Sequence, residues 1–290
     1  MNRSFPANLF LIGICLFTAC SGKRPDAAAA GKAISYDLNS PDDKMFLPYE
    51  IEEISGLSYL SEDKLLAIQD EQAIIYTIDM KEEKIASEQK FGKNGDYEGV
   101  EVVGEFIFAV RSDGTIYKTS IQATDESATE VFDTPLSHKN DVEGLAYDVA
   151  NNRLLLACKG ISGIKNDIPG SRAIYAFNLS DNTLAEEPVF LLKIDQVNAA
   201  LGNSDTKDHF RPSGIAVHPV TGQIYIIASV GKVLIVLNKN GSIDTVTQLA
   251  SAEFKQPEGI CFSPNGDMFI SNEGKGGRST ILRFNYAKNE

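Results

Sequence analysis

Five short segments place the most chemically capable residues of this chain at one recurring position. They begin ISGLSYL at Ile54, YEGVEVV at Tyr97, VEGLAYD at Val142, PSGIAVH at Pro212 and PEGICFS at Pro257. In each, a serine or glutamate stands directly before a glycine: Ser55, Glu98, Glu143, Ser213 and Glu258 before Gly56, Gly99, Gly144, Gly214 and Gly259. If the segments are copies of one structural unit around an axis, three carboxylates and two hydroxyls share one ring. At ~6 Å and an effective dielectric near 20, each carboxylate pair repels by roughly 3 kcal/mol. A cation, a raised pKa or open water must offset that. All-oxygen donors of flexible geometry suit Ca²⁺ or Mg²⁺ rather than a soft metal. Glu98, Glu143 and Glu258 are therefore candidate ligands of a divalent cation. The plainer alternative is that each glutamate bonds backbone amides or a neighbouring unit. Glu98, with Asp96, Glu101 and Glu105 close by, could also belong to a solvated acidic face.

A second set of polar residues follows at the end of the next apolar run in each segment. These are Gln69-Asp70-Glu71, Arg111-Ser112-Asp113, Lys159, Ser229 and Asn272-Glu273. Equivalent strand ends fall on one face, where loops carry function. Ser55, Ser213, Asp70, Arg111, Lys159 and Glu273 are thus candidate ligand-binding residues. Arg111 and Lys159 could neutralise Glu98 and Glu143, or grip an anionic ligand. Lys159 heads a long Gly- and Ser-rich stretch, GISGIKNDIPGSR, that could cap the ring.

The elements that must hold these residues are strands. After each glycine comes an alternating apolar strand, then a tight turn such as SEDK at Ser61 or SPNGD at Ser263. A second strand follows (LLAIQ, FIFAV, LLLAC, IYIIA, MFISN), then a third (AIIYTI, TIYKTS, AIYAFN, VLIVLN, TILRFN). Four repeats add a more polar fourth strand: KIASEQK, ATEVFDT, PVFLLKI and DTVTQLA. Four antiparallel strands every ~45 residues is the pattern of a β-propeller blade. Glycine spacings of 43, 45, 70 and 45 predict five blades of four strands. The excess in the long interval lies in an insertion around Gln196–Arg211; six blades is the alternative. The last repeat stops after its third strand. An N-terminal strand, AISYDLN at Ala33–Asn39, is expected to complete that blade and close the ring.

The SGL/EGL strand starts, the period and the N-terminal sequence resemble the SdiA-regulated (YjiK-like) propeller family of bacterial envelopes. The resemblance covers roughly Ala33–Tyr286. It implies a β-propeller and a place in the cell envelope, and it supplies no catalytic residue set.

Arg3 and the eleven-residue apolar run Leu9–Ala19 read as a secretory signal over residues 1–19. The run is too short for a bilayer span, which needs roughly 20 residues. Phe17-Thr18-Ala19-Cys20 resembles a bacterial lipobox, which implies cleavage before Cys20 and diacylglycerol on its sulfur; ordinary signal cleavage is the alternative. Residues 20–32, small, polar and Ala-rich, read as a tether, and 33–290 as one propeller domain. Ser21 after the acylated cysteine favours the outer membrane, with the domain in the periplasm. Cys158 and Cys261, on different blades, are expected as buried thiols.

A net charge of -13 over 290 residues argues against nucleic acid as a partner. His138, His209 and His218 share no repeat position, and His218, beside Pro219 in a turn, is expected to be exposed. No GxSxG elbow is present. GKGG at Gly274–Gly277 lacks the phosphate-loop spacing. The reading that follows is a lipid-anchored envelope propeller acting as a binding module for a divalent cation, a small ligand or an envelope protein. The alternative is a metal-dependent hydrolase of a lactone or phosphoester, with Glu143 or Glu258 as ligands and Lys159 steadying negative charge. A purely structural scaffold is a third reading.

Overall fold

The structure is a computed structural model that describes Met1 and residues 34–202 and 210–287. The chain divides into two units, Met1–Ala30 and Gly31–Glu290, and only the second carries described elements. The expected signal, lipobox cysteine Cys20 and tether lie outside the described residues.

A short strand, β1 (Asp43–Phe46), precedes the first complete blade, which is formed by β2 (Ile54–Ser61), β3 (Lys64–Gln69), β4 (Ile74–Asp79) and β5 (Lys84–Lys90). Blade two holds β6 (Tyr97–Val103), β7 (Phe106–Arg111), β8 (Ile116–Ser120) and β9 (Glu130–Phe132). The third holds β10 (Val142–Asp148), β11 (Arg153–Cys158) and β12 (Ser171–Asn178), whose far edge is shared by β13 (Thr183–Leu184) and β14 (Phe190–Lys193). Helix α1 (Ile194–Ala200) opens the insertion. Blade four holds β15 (Gly214–Val217), β16 (Ile224–Ala228), β17 (Val233–Leu237) and β18 (Ile243–Gln248). Blade five holds β19 (Pro257–Phe262), β20 (Met268–Asn272) and β21 (Thr280–Phe284), with β1 antiparallel on β21 as its fourth strand. Each inner strand packs against the inner strands of both neighbouring blades, and β19 returns to β2. The protein is a five-bladed β-propeller.

Alternation along each second strand explains the ring. Leu65 and Ala67 of β3 join the core shared with blade five, whereas Leu66 and Ile68 join the core shared with blade two. Leu154, Leu156 and Cys158 of β11 face blade two, while Leu155 and Ala157 face blade four. A strand buried on both faces needs an unbroken apolar run, which is why LLLAC and IYIIA carry no polar residue. Five such cores fill the five gaps between blades. Outer strands see solvent, so β5 (KIASEQK) is mostly exposed.

An N-terminal strand does close the ring, but with different residues from those expected. Asp43–Phe46 pairs with Thr280–Phe284. Ile34–Asn39 forms no strand: Tyr36 and Leu38 are buried between blades four and five. Their alternation is real, yet it serves a plug rather than a ladder. Tyr36 donates its hydroxyl to the Gly266 carbonyl at 2.6 Å, and the same hydroxyl oxygen of Tyr36 lies 2.8 Å from His218 Nε2. His218, expected to be exposed, is fully buried. Its Nδ1 accepts the amides of Val220 and Thr221 at 3.2 and 3.1 Å, which leaves the proton on Nε2. Burial pulls its pKa down to about 4. Cys158 and Cys261 are buried free thiols on separate blades.

Candidate functional site

The recurring glycines exist because the inner strands touch. A Cβ on Gly99 would stand 2.8 Å from the backbone nitrogen and Cβ of Leu145 in the next blade. On Gly259 it would meet Leu57 Cβ at 2.7 Å and Ser271 Oγ at 2.6 Å. Below the ring, Leu57, Val100, Leu145, Ile215 and Ile260 throttle the axis to a 10 Å³ void, about the room of one water molecule. The channel is therefore a cup rather than a pore.

Directly before the glycine, the ladder slips. Register shifts fall between Ile54 and Gly56, Tyr97 and Gly99, Val142 and Gly144, and Pro257 and Ile260. Such bulges redirect a side chain away from its strand alternation. The residue at each bulge is the Ser or Glu singled out above. Two hydroxyls are used as staples to the following blade: Ser55 Oγ donates to the Tyr97 carbonyl at 2.7 Å and Ser213 Oγ to the Pro257 carbonyl at 2.6 Å. Ser213 Oγ also accepts the Ser229 amide at 3.1 Å. The strand ends are held within their own blades by backbone, with the amides of Ser112, Lys159 and Glu273 donating to the carbonyls of Asp96, Asp141 and Gln256.

The three glutamates line one pocket of 180 Å³ at the mouth of the cup. Around it stand Glu53, Asp70, Glu98, Glu143, Glu258 and Glu273, with Lys159 as the only cation among the described lining residues. Ser55 also reaches this pocket; Ser213 and Arg111 do not. Lys159 Nζ lies 2.7 Å from Glu143 Oε1, the pairing anticipated for these two residues. Arg111 is turned elsewhere. The residue in register with Asp70, Lys159 and Glu273 is Ser112, just past the end of β7, so alternation sends Arg111 to the other side. There its guanidinium grips Asp113, at 2.5 Å from Nη2, and touches Thr115 and Tyr117.

Electrostatically the pocket is under strain. Burial first, then the charges of Glu143, Asp96 and Glu258, hold Glu98 far above the ordinary carboxylate range. Glu258 is pushed to about 8 by burial, Glu143 and Glu273 against the relief of Lys159 and Ser229. Glu143 is also raised by burial, although Lys159 draws it back. Asp70 and Glu273 move up for the same first cause, each repelled by Glu53. Burial alone would lower Lys159, but the surrounding carboxylates leave it raised. Asp70 Oδ1 and Gln256 Oε1, both on the pocket wall, are buried acceptors without a donor among the described residues. Among the described residues, no three His, Cys, Asp or Glu side chains are gathered as a set able to hold a metal ion directly. The cluster is an acidic cup, and its carboxylates are not arranged as an inner coordination sphere.

Glu53 and Gln256 were not singled out in the sequence, although the repeat contains them. They stand three residues before their glycines, where the other blades carry Asp96, Asp141 and Arg211. Of the five, Glu53 and Gln256 line the pocket.

Fold and site together define an envelope of comparison: a five-bladed propeller with an acidic mouth. The SdiA-regulated family model matches residues 42–275, and the chain belongs to that family. No curated protein matches it by sequence. A glutaminyl cyclase from Myxococcus xanthus is similar in structure, with a TM-score of 0.56 at 12% identity over 85% of this chain and 95% of that one. A Bacteroides thetaiotaomicron VPI-5482 protein of unknown function gives 0.52 at 11%, over 79% and 53%. The PQQ-bound aldose sugar dehydrogenase of Streptomyces coelicolor gives 0.51 at 14%, over 84% and 97%. At such identities the likeness extends to the fold alone.

Proposed function

We propose that this protein is a lipid-anchored binding module of the bacterial envelope whose channel mouth captures a cationic ligand. One observation carries the reading: among the described residues, six carboxylates face a 180 Å³ pocket against a single ammonium. Carboxylates so crowded either keep protons or take a cation. Ca²⁺ or Mg²⁺ held through its water shell is the simplest occupant, since Mg²⁺ in particular keeps several waters when protein-bound. An organic ammonium is the other. Glu98, Glu143 and Glu258 would supply the charge, while Asp70, Glu273 and Ser55 shape the rim. The anchor at Cys20, and with it the outer membrane and periplasm, belongs to the same proposal, supported by the lipobox-like sequence and the family. A directly ligated catalytic metal would need a donor set that the described residues do not gather, so the hydrolase alternative is carried no further. The test is calorimetric titration of the protein with Ca²⁺, Mg²⁺ and alkylamines at pH 7.5, repeated on Glu98→Gln/Glu258→Gln. Binding that the double variant loses supports the reading; equal binding by both proteins overturns it.

A further inference from the structure

A cavity of 370 Å³ lies where blade two hands over to blade three, and it shares no lining residue with the acidic pocket. The sequence explains why the blade opens there. The outer edge of blade three is two short strands, because Pro188 has no amide to donate and cannot continue a ladder. The Ala185 amide bonds the Ala176 carbonyl and the Val189 amide the Ile174 carbonyl, each at 2.8 Å. Between those two bonds Glu186, Glu187 and Pro188 leave the ladder opposite Tyr175.

The other wall is the stretch between β11 and β12, and buried side chains fix it. Asn140 Nδ2 donates to the carbonyls of Ile161 and Gly163 at 3.2 and 3.1 Å. Tyr175 Oη donates to the Ser162 carbonyl, and Ser162 Oγ accepts the Ile168 amide, both at 3.0 Å. A wall so held exists before a ligand arrives, which spares part of the ordering cost of binding.

The lining has two chemistries. Pro135, Ile164, Ile168, Pro188 and Tyr175 supply apolar surface. Lys165, Glu186 and Glu187 are exposed beside them. Among the described residues, none of these three has a hydrogen-bond or ion-pair partner. Burial, then Cys158 and Glu187, push the Tyr175 phenol up to about 12, which places the Glu187 charge near the tyrosine. Carboxylates only accept hydrogen bonds, and here two of them stand against one ammonium. A largely apolar, preformed cavity above roughly 300 Å³ with a few polar groups is the usual form of a small-molecule site.

We propose that this cavity binds a small ring-bearing amine, with the ring against the prolines, the isoleucines and Tyr175 and the ammonium on Glu186 and Glu187. Proline rings and a tyrosine present flat surface, which a ring covers better than a flexible chain. The site stands whether or not the acidic mouth takes a cation.

The experiment titrates the full chain calorimetrically with benzylamine, 2-phenylethylamine and cyclohexylmethylamine. Three controls separate the contributions: methylamine (charge without ring), benzyl alcohol (ring without charge) and phenylacetate (ring with the opposite charge). At least one ring amine should bind tenfold or more tighter than every control. Glu186→Gln/Glu187→Gln, at exposed positions, should weaken that amine at least tenfold, whereas Glu98→Gln/Glu258→Gln should hold it within twofold. Loss of binding in the mouth variant, alone or alongside the other, would overturn the proposal. So would benzyl alcohol binding as tightly as the amine, phenylacetate binding more tightly with Lys165 as its anchor, or no ring amine binding at all.

Discussion

Replacing Glu258 with glutamine isolates the strain of the acidic mouth. In the folded protein this carboxyl is raised from 4.5 to about 8, by burial and then by Glu143 and Glu273. The folded state therefore keeps a proton that the unfolded chain releases above pH ~4.5. Stability from this group is whole below that pH and drains away as pH rises toward 8. At 1.36 kcal/mol per unit, the unfolded carboxylate gains roughly 3 kcal/mol by pH 7 and under 1 kcal/mol by pH 5. The folded group gains almost nothing at either pH. Wild type should thus lose about 2–3 kcal/mol relative to Glu258→Gln between pH 5 and pH 7, because glutamine does not titrate. Urea denaturation in EDTA at pH 5, 6 and 7 measures the difference directly. A gap between the two proteins that stays constant across these pH values would refute the crowded-carboxylate argument.

Other outcomes follow from the same geometry. Lys159→Met leaves Glu143 buried without its partner and should cost about 3 kcal/mol at pH 8, with Lys159→Met/Glu143→Gln recovering most of it; chemical denaturation of the three proteins decides. Gly99→Ala drives a Cβ into the backbone of Leu145 and should lower stability by about 2–3 kcal/mol in a thermal melt, since the blades must part. Tyr36→Phe removes the hydroxyl between Gly266 and His218 and should cost about 1–2 kcal/mol. His218, held near 4 by burial, makes the protein lose stability as pH falls below 6.5 toward 4, and His218→Gln should flatten that limb of the pH–stability curve. Arg111→Ala should leave cation binding unchanged while abolishing the contact with Asp113, a result that calorimetry with the wild-type ligand can contradict.

Much of this was legible because a propeller repeats its own signals. The glycines mark where inner strands meet, so the meeting of Ser55, Glu98, Glu143 and Glu258 at one pocket could be read from spacing, whereas Ser213, expected beside them, does not line it. What spacing does not carry is register within a blade. Arg111 stands one residue before the register position of Asp70, Lys159 and Glu273, and one residue in a strand sends a side chain to the far side of the sheet. Likewise AISYDLN alternates as a strand should, yet its apolar residues fill the gap between blades four and five. The closing strand DKMF is short and mostly exposed, so its place is set by the free edge of β21 rather than by its own pattern. His218 looked like a turn residue because its neighbours form a turn; its burial comes from Tyr36, 182 positions away. Glu53 and Gln256 stood at a repeat position whose chemistry varies from blade to blade, and only the shared pocket brings them together.

The central claim is that the acidic mouth takes a cation, and thermal melting at pH 7.5 tests it most directly. Ca²⁺, Mg²⁺ or an alkylamine should raise the melting temperature of wild type in a saturable way and leave Glu98→Gln/Glu258→Gln unmoved. A shift of equal size in both proteins, or none with any cation, would contradict it.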